Sequence, residues 1–126
     1  GLPTGIGGDD KAGVFICLQL LEKFDVIKGF FPVAEETGCH GSRGAKEEFF
    51  NNVGYAIQFD STENDTMSLS LMGTKLFEED SEFFNKTKGL ILEHGFTEWR
   101  HHPYTDTMVL KERFNFASIL WFNLTY

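Results

Sequence analysis

The stretch Phe30–Gly38, Phe-Phe-Pro-Val-Ala-Glu-Glu-Thr-Gly, constrains this chain most, because an apolar run ends abruptly in two adjacent carboxylates and is closed by a glycine. The run from Val26 to Ala34 is short and mostly apolar, and turn residues follow it, so it reads as a buried strand. Glu35 and Glu36 then fall where the strand gives out, which in an open α/β sheet is where ligands bind. Neighbouring acids repel each other unless a cation lies between them or one takes up a proton. The pair is thus a candidate for metal-assisted acid/base chemistry. A solvated loop carrying two Glu is the plainer alternative.

The totals bound what the rest can be. With 126 residues the chain is expected to form one domain, residues 1–126, with a real core. Its 41% apolar and 15% aromatic content, including 14 Phe, marks a folding chain rather than a disordered one. The formal charge of −8 comes without a Lys/Arg cluster, which argues against nucleic acid or an anionic membrane as partner. Two cysteines, Cys17 and Cys39, make neither a disulfide framework nor a zinc cluster, so a reducing cytoplasm is the expected compartment. The longest apolar runs fall far short of the ~18 residues of a membrane span. Neither a leader nor a spanning helix is expected, and the first residue, Gly rather than Met, suggests a fragment.

Along the chain, Gly1–Gly8 reads as a loop. Asp9 or Asp10 then caps a helix running to about Lys23. Gly5-Ile6-Gly7-Gly8 is not a phosphate loop, because two Asp follow at once and would repel phosphate. Ser42 is placed as the cap of a helix over Arg43–Phe50. Tyr55–Phe59 reads as a strand that delivers Asp60 at its end. Ser61–Thr66 is a polar turn whose spacing does not match a calcium loop. Met67–Met72 alternates as a strand, Glu78–His94 is an amphipathic helix stopped by Gly95, and Phe96–His101 is strand-like. His101–Asp106 reads as a turn. Thr105 or Asp106 caps a last helix over Thr107–Phe114, and Phe116–Leu124 is the final strand. The sequons at Asn64, Asn85 and Asn123 are read as chance.

Three acid sites therefore lie at the edges of regular elements: Asp9/Asp10, Glu35/Glu36 and Asp60. On one edge of a parallel sheet they would offer hard oxygen donors to a divalent metal, zinc or manganese rather than calcium. Adjacent Glu residues can divide the labour, one ligating and the other holding water as general base.

Gly8-Asp9-Asp10-Lys11-Ala12-Gly13, then Glu35-Glu36-Thr37-Gly38, then Phe59-Asp60, resembles the co-catalytic metallopeptidases of the peptidase T, carboxypeptidase and desuccinylase type, over residues 5–120. The resemblance implies a three-layer α/β/α catalytic domain of the zinc-exopeptidase (phosphorylase/hydrolase-like) kind, with a mixed, mostly parallel sheet. It implies that Asp9 bridges two metals, Glu35 is the general base, Glu36 ligates one metal and Asp60 the other, and that Asp106 supports the edge. It further implies two zinc ions, or manganese or cobalt, and a short peptide or N-acyl amino acid as substrate. The sequence also departs from the family pattern. It lacks the upstream His-x-Asp, the histidine after the final strand and the inserted lid, so each metal is expected to lose one ligand. His101 or His102 could replace one of these, although a turn histidine pair beside Pro103 is the favoured reading. An incomplete or degenerate member that binds metal or peptide without catalysis is the alternative function.

Overall fold

The computed structural model describes residues 8–60, 66–102, 104–114 and 118–123. Among these residues the fold is α/β, with five helices accompanying a five-stranded mixed sheet. In order these are α1 (Gly8–Lys23), α2 (His40–Arg43), α3 (Glu47–Phe50), β1 (Tyr55–Asp60), β2 (Thr66–Leu71), β3 (Thr74–Lys75), α4 (Glu82–Glu93), β4 (Glu98–His102), α5 (Asp106–Phe114) and β5 (Ser118–Asn123). β1 pairs in parallel with β5 over its whole length, and β2 pairs in parallel with β4. β2 also runs antiparallel to β3, and to β5 through Met67 and Phe122.

β2 is the centre of this arrangement. Its residues are buried on both faces, with only Leu69 partly open, as expected of a strand covered from two sides. Met67 and Leu71 join Leu76, Phe77, Phe84, Ile91, Met108 and Leu110 in the core. Phe77 stacks on Phe84 at 4.6 Å, and Trp99 meets Phe84 edge-on at 5.3 Å, so β4 and α4 are locked to the same aromatic group. Each such pair contributes about 0.5–1.5 kcal/mol beyond its buried area.

The helix ends follow local chemistry. α4 starts at Glu82 rather than Glu78, because Ser81 adopts an extended backbone and its side chain accepts the Phe84 N–H at 3.2 Å. At the other end Gly95 takes φ +88°, with bonds from Phe96 N–H to Ile91 O and from Gly95 N–H to Leu92 O, a Schellman stop. Met72 and Gly73 both take positive φ in the two-residue link to β3, the requirement of a type I′ hairpin turn. The sequence reading ended β2 there and missed β3.

Two expectations are corrected. Val26–Ala34 is not a strand: it is an irregular connector without ladder partners. Pro32 lacks a donor and Gly29 weakens extended structure, while Val26, 98% exposed, was never buried. The segment is fastened instead by Phe30, whose ring meets Phe49 and Phe50 at 5.8 and 5.2 Å, and by Lys28 Nζ, which donates to Phe49 O and Asn51 O. Likewise, Arg43–Phe50 is not one helix. α2 ends at Arg43, and Gly44–Lys46 separates it from α3. Ser42 lies inside α2 rather than capping the next helix.

Candidate functional site

The candidate site is built by the loop that precedes α2. Ala34 takes φ 58°, a left-handed conformation that costs a non-glycine residue about 1–2 kcal/mol. The chain then folds into nested turns. Glu35 O accepts from Gly38 N–H and Cys39 N–H, Ala34 O from His40 N–H, and Val33 O from Gly41 N–H at 3.0 Å. Gly41 is required by this closure, since a Cβ there would lie 2.5 Å from Val33 N and 2.8 Å from Val33 O. The Glu pair is thus presented by a tight turn rather than by the end of a strand.

Three further segments meet this turn. Ser42 Oγ, fully buried in α2, donates to Asp106 Oδ1 at 2.6 Å, which ties the loop to the first turn of α5. Arg113, near the end of α5, donates to Ser42 O and Ala45 O. Tyr104 Oη donates to Gly38 O, while Arg43 Nη2 donates to Tyr104 Oη and Arg43 Nε to Gly38 O. From β1, Gln58 Nε2 donates to Asp60 Oδ2 at 2.8 Å and to Thr105 Oγ1 at 3.0 Å. Thr105 is buried, and its hydroxyl proton faces Asp60 Oδ2 at 3.4 Å.

The electrostatics follow from this gathering. The half-buried Glu35 carboxyl is raised above the ordinary carboxylate range, first by burial and then by the charges of Glu36, Asp106 and Asp60. A hydrogen bond with the Thr105 side chain opposes the rise. Thr105 therefore sits between two carboxylates, Glu35 and Asp60, with one proton to offer. Cys39 is fully buried, and its thiol is pushed up to about 11, chiefly by burial. A hydrogen bond with Tyr104 pulls the other way, while contacts with Asp106 and Glu35 add to the rise. It is a neutral packing group and no nucleophile at neutral pH. Cys17 is only partly buried; burial, then Asp10, raises its thiol as well.

The residues singled out in the sequence fare differently. Glu36 and Asp60 each come within electrostatic range of Glu35, as does Asp106. Glu36 is exposed. Asp9 is the second residue of α1, but its side chain lies outside the described residues, as do residues 61–65 of the polar turn. Asp10 turns back into its own helix, where Oδ1 accepts the Gly13 N–H at 2.9 Å. His101 and His102 belong to β4 rather than to a turn, and His101 Nδ1 is engaged by Ser70 Oγ at 2.6 Å. Among the described residues, no group of three or more His, Cys, Asp and Glu is gathered to hold a metal ion.

Sequence reasoning missed the hydroxyl and amide partners. In the sequence Ser42 and Thr105 read as helix caps, and Gln58 carries no signal of a site role. No helix among the described residues is long and apolar enough to cross a membrane. No protein-family model, curated protein or solved structure matches this chain.

Proposed function

We propose that the acidic edge is the centre of a metal-dependent hydrolase that cleaves a peptide or N-acyl amide bond in a short substrate. The reading rests on one observation: Glu35 meets the fields of Glu36, Asp60 and Asp106, carboxylates drawn from the loop, the end of β1 and the start of α5. Strained backbone flanks the pair, with positive φ at the non-glycine residues Ala34 and Cys39, and such strain concentrates at functional sites.

Glu36 and Asp60, with Asp9, would hold the metal, two zinc ions in the form the sequence resemblance implies, or manganese or cobalt. When bound, a divalent cation supplies Lewis acidity toward a carbonyl and toward water. Glu35, with its raised proton affinity, takes the proton of the attacking water and passes it to the leaving amine. Thr105 holds the Glu35 carboxyl in place. Asp106, fixed by Ser42, supports the edge from behind. The three-layer zinc-exopeptidase architecture belongs to this proposal, as does a cytoplasmic setting, which suits two free cysteines.

A second reading is favoured by Asp60, whose carboxylate already accepts from Gln58. A carboxylate satisfied in that way fits an incomplete, non-catalytic member that binds metal or peptide weakly.

Zinc titration by calorimetry, followed by a screen of short peptides and N-acyl amino acids, separates these readings. The hydrolase reading expects zinc binding that Glu36→Ala weakens at least tenfold, and turnover that Glu35→Gln abolishes while zinc stays bound. Zinc binding without turnover would support the second reading. Absence of zinc binding would refute both metal readings, and joint loss of metal and activity in Glu35→Gln would refute the assigned roles.

A further inference from the structure

We propose that Ser70 and His101 form a nucleophile–base pair that hydrolyses short apolar acyl esters in the cavity between β4 and the β2–β3 hairpin. Ser70 Oγ and His101 Nδ1 lie 2.6 Å apart, within the reach that a nucleophile and its base require. Both residues line one cavity of about 470 Å³, a size that suits a small ligand. Leu69, Met72 and Phe77 give the cavity apolar walls, and Lys75 brings a positive charge to it. None of these residues belongs to the acidic edge, and the chemistry needs no metal.

A backbone irregularity makes the pair. β2 and β4 run in regular parallel register through Ser68 and Arg100, and the register then shifts by one residue at Leu69. Ser70 therefore meets His101, and Leu71 meets His102. In an unbroken ladder Ser70 would stand opposite His102 instead. Bulges are rare in parallel pairs, and they recur next to active sites, where they re-aim a side chain. Ser70 is only 7% exposed, whereas His101 is exposed. The hydroxyl is thus shielded while the imidazole can exchange protons with solvent.

With its own proton on Nε2, His101 accepts the Ser70 hydroxyl proton at Nδ1 as Oγ bonds to the ester carbonyl carbon. The bond from that carbon to the alcohol oxygen then breaks, and the alcohol leaves with the proton from Nδ1. Water next attacks the acyl-Ser70 carbonyl and gives a proton to Nδ1. The carbon–Oγ bond breaks, and Oγ recovers that proton. Ester and water become acid and alcohol with no change of oxidation state. The acyl chain is accommodated by Leu69, Met72 and Phe77.

The test treats the intact chain, in EDTA, with p-nitrophenyl butyrate and with an alkyl fluorophosphonate, and maps the phosphonylated residue by mass spectrometry. The expected results are ester turnover in the chelator and a single adduct on Ser70. His101→Gln, at an exposed position, should slow both reactions at least ~100-fold, the scale of a lost general base. Ser68→Ala is the control on the same strand, because Ser68 Oγ is buried and makes no hydrogen bond among the described residues; its labelling should match the parent chain. Absence of an adduct on Ser70 would overturn the proposal. So would labelling indifferent to His101→Gln, labelling lost equally in Ser68→Ala, or turnover that EDTA abolishes.

Discussion

Ser42→Ala probes the joint on which the site depends. Ser42 Oγ and Asp106 Oδ1 are 2.6 Å apart, with Ser42 fully buried and Asp106 only 7% exposed. A hydrogen bond to a charged group contributes about 1.5–3 kcal/mol, and its removal leaves a buried carboxylate short of one donor. The Cys39 thiol is also hydrogen-bonded with Asp106, and Arg113 still reaches Ser42 O through the backbone, so collapse of the joint should be partial. A loss of about 2 kcal/mol is expected. At the ~1–3 kcal/mol/M dependence typical of small domains, that lowers the urea midpoint by about 1 M with the slope unchanged. The partner variant Asp106→Ala also loses the Cys39 contact, so only the double-mutant cycle isolates the Ser42 term, expected at about 1–2 kcal/mol. A loss below ~0.5 kcal/mol with negligible coupling would show that the bond does not hold the loop on α5, and the case for a positioned Glu35 would go with it.

Two further outcomes follow from the same geometry. In metal-free buffer, Glu35→Gln should raise the melting temperature at neutral pH. The folded-state affinity of Glu35 for its proton exceeds the unfolded one, so its contribution is lost as pH rises from the unfolded carboxylate value through the raised folded value. The gain in the variant should therefore grow across that window and level off above it; a gain that grows as the pH falls would contradict the assigned direction. Gly41→Ala should destabilise by about 1–3 kcal/mol in thermal melts, because its Cβ meets the Val33 backbone rather than a side chain that can swing aside. An unchanged melt would mean that the turn is looser than drawn.

Elements governed by short-range pattern were legible from the sequence. α1 and α5 come from their apolar repeats and acidic starts, α4 from its periodicity and Gly95, and β1 and β2 from brief apolar runs between turn residues. Val26–Ala34 misled because its apolar residues serve ring packing and an open surface rather than a ladder. A strand and an apolar connector have the same composition, and only Gly29 and Pro32 distinguished them. The Arg43–Phe50 helix fails at Gly44, a poor helix former that caps α2, and Arg113 from α5 donates to Ser42 O and Ala45 O on either side of the break.

The same division runs through the site. Glu35, Glu36 and Asp60 were conspicuous as acids beside turn residues, although only Asp60 ends a strand and the strand expected before Glu35 is absent. The groups that fix them were not. Ser42 reaches Asp106 across 64 residues and Gln58 reaches Thr105 across 47, and a hydroxyl or amide at such a distance leaves no periodic trace. Those neutral partners nevertheless set how the acids behave. Burial and three like charges raise Glu35, and one Thr105 hydroxyl, placed by β1 and α5 together, opposes the rise. Whether this edge binds a cation or stays a repelling cluster depends on that balance. A bound cation would oppose the charge effects on Glu35, whereas loss of the Thr105 hydroxyl would remove the one contribution that lowers Glu35 and so raise it further, away from the core centred on Met67 and Leu71.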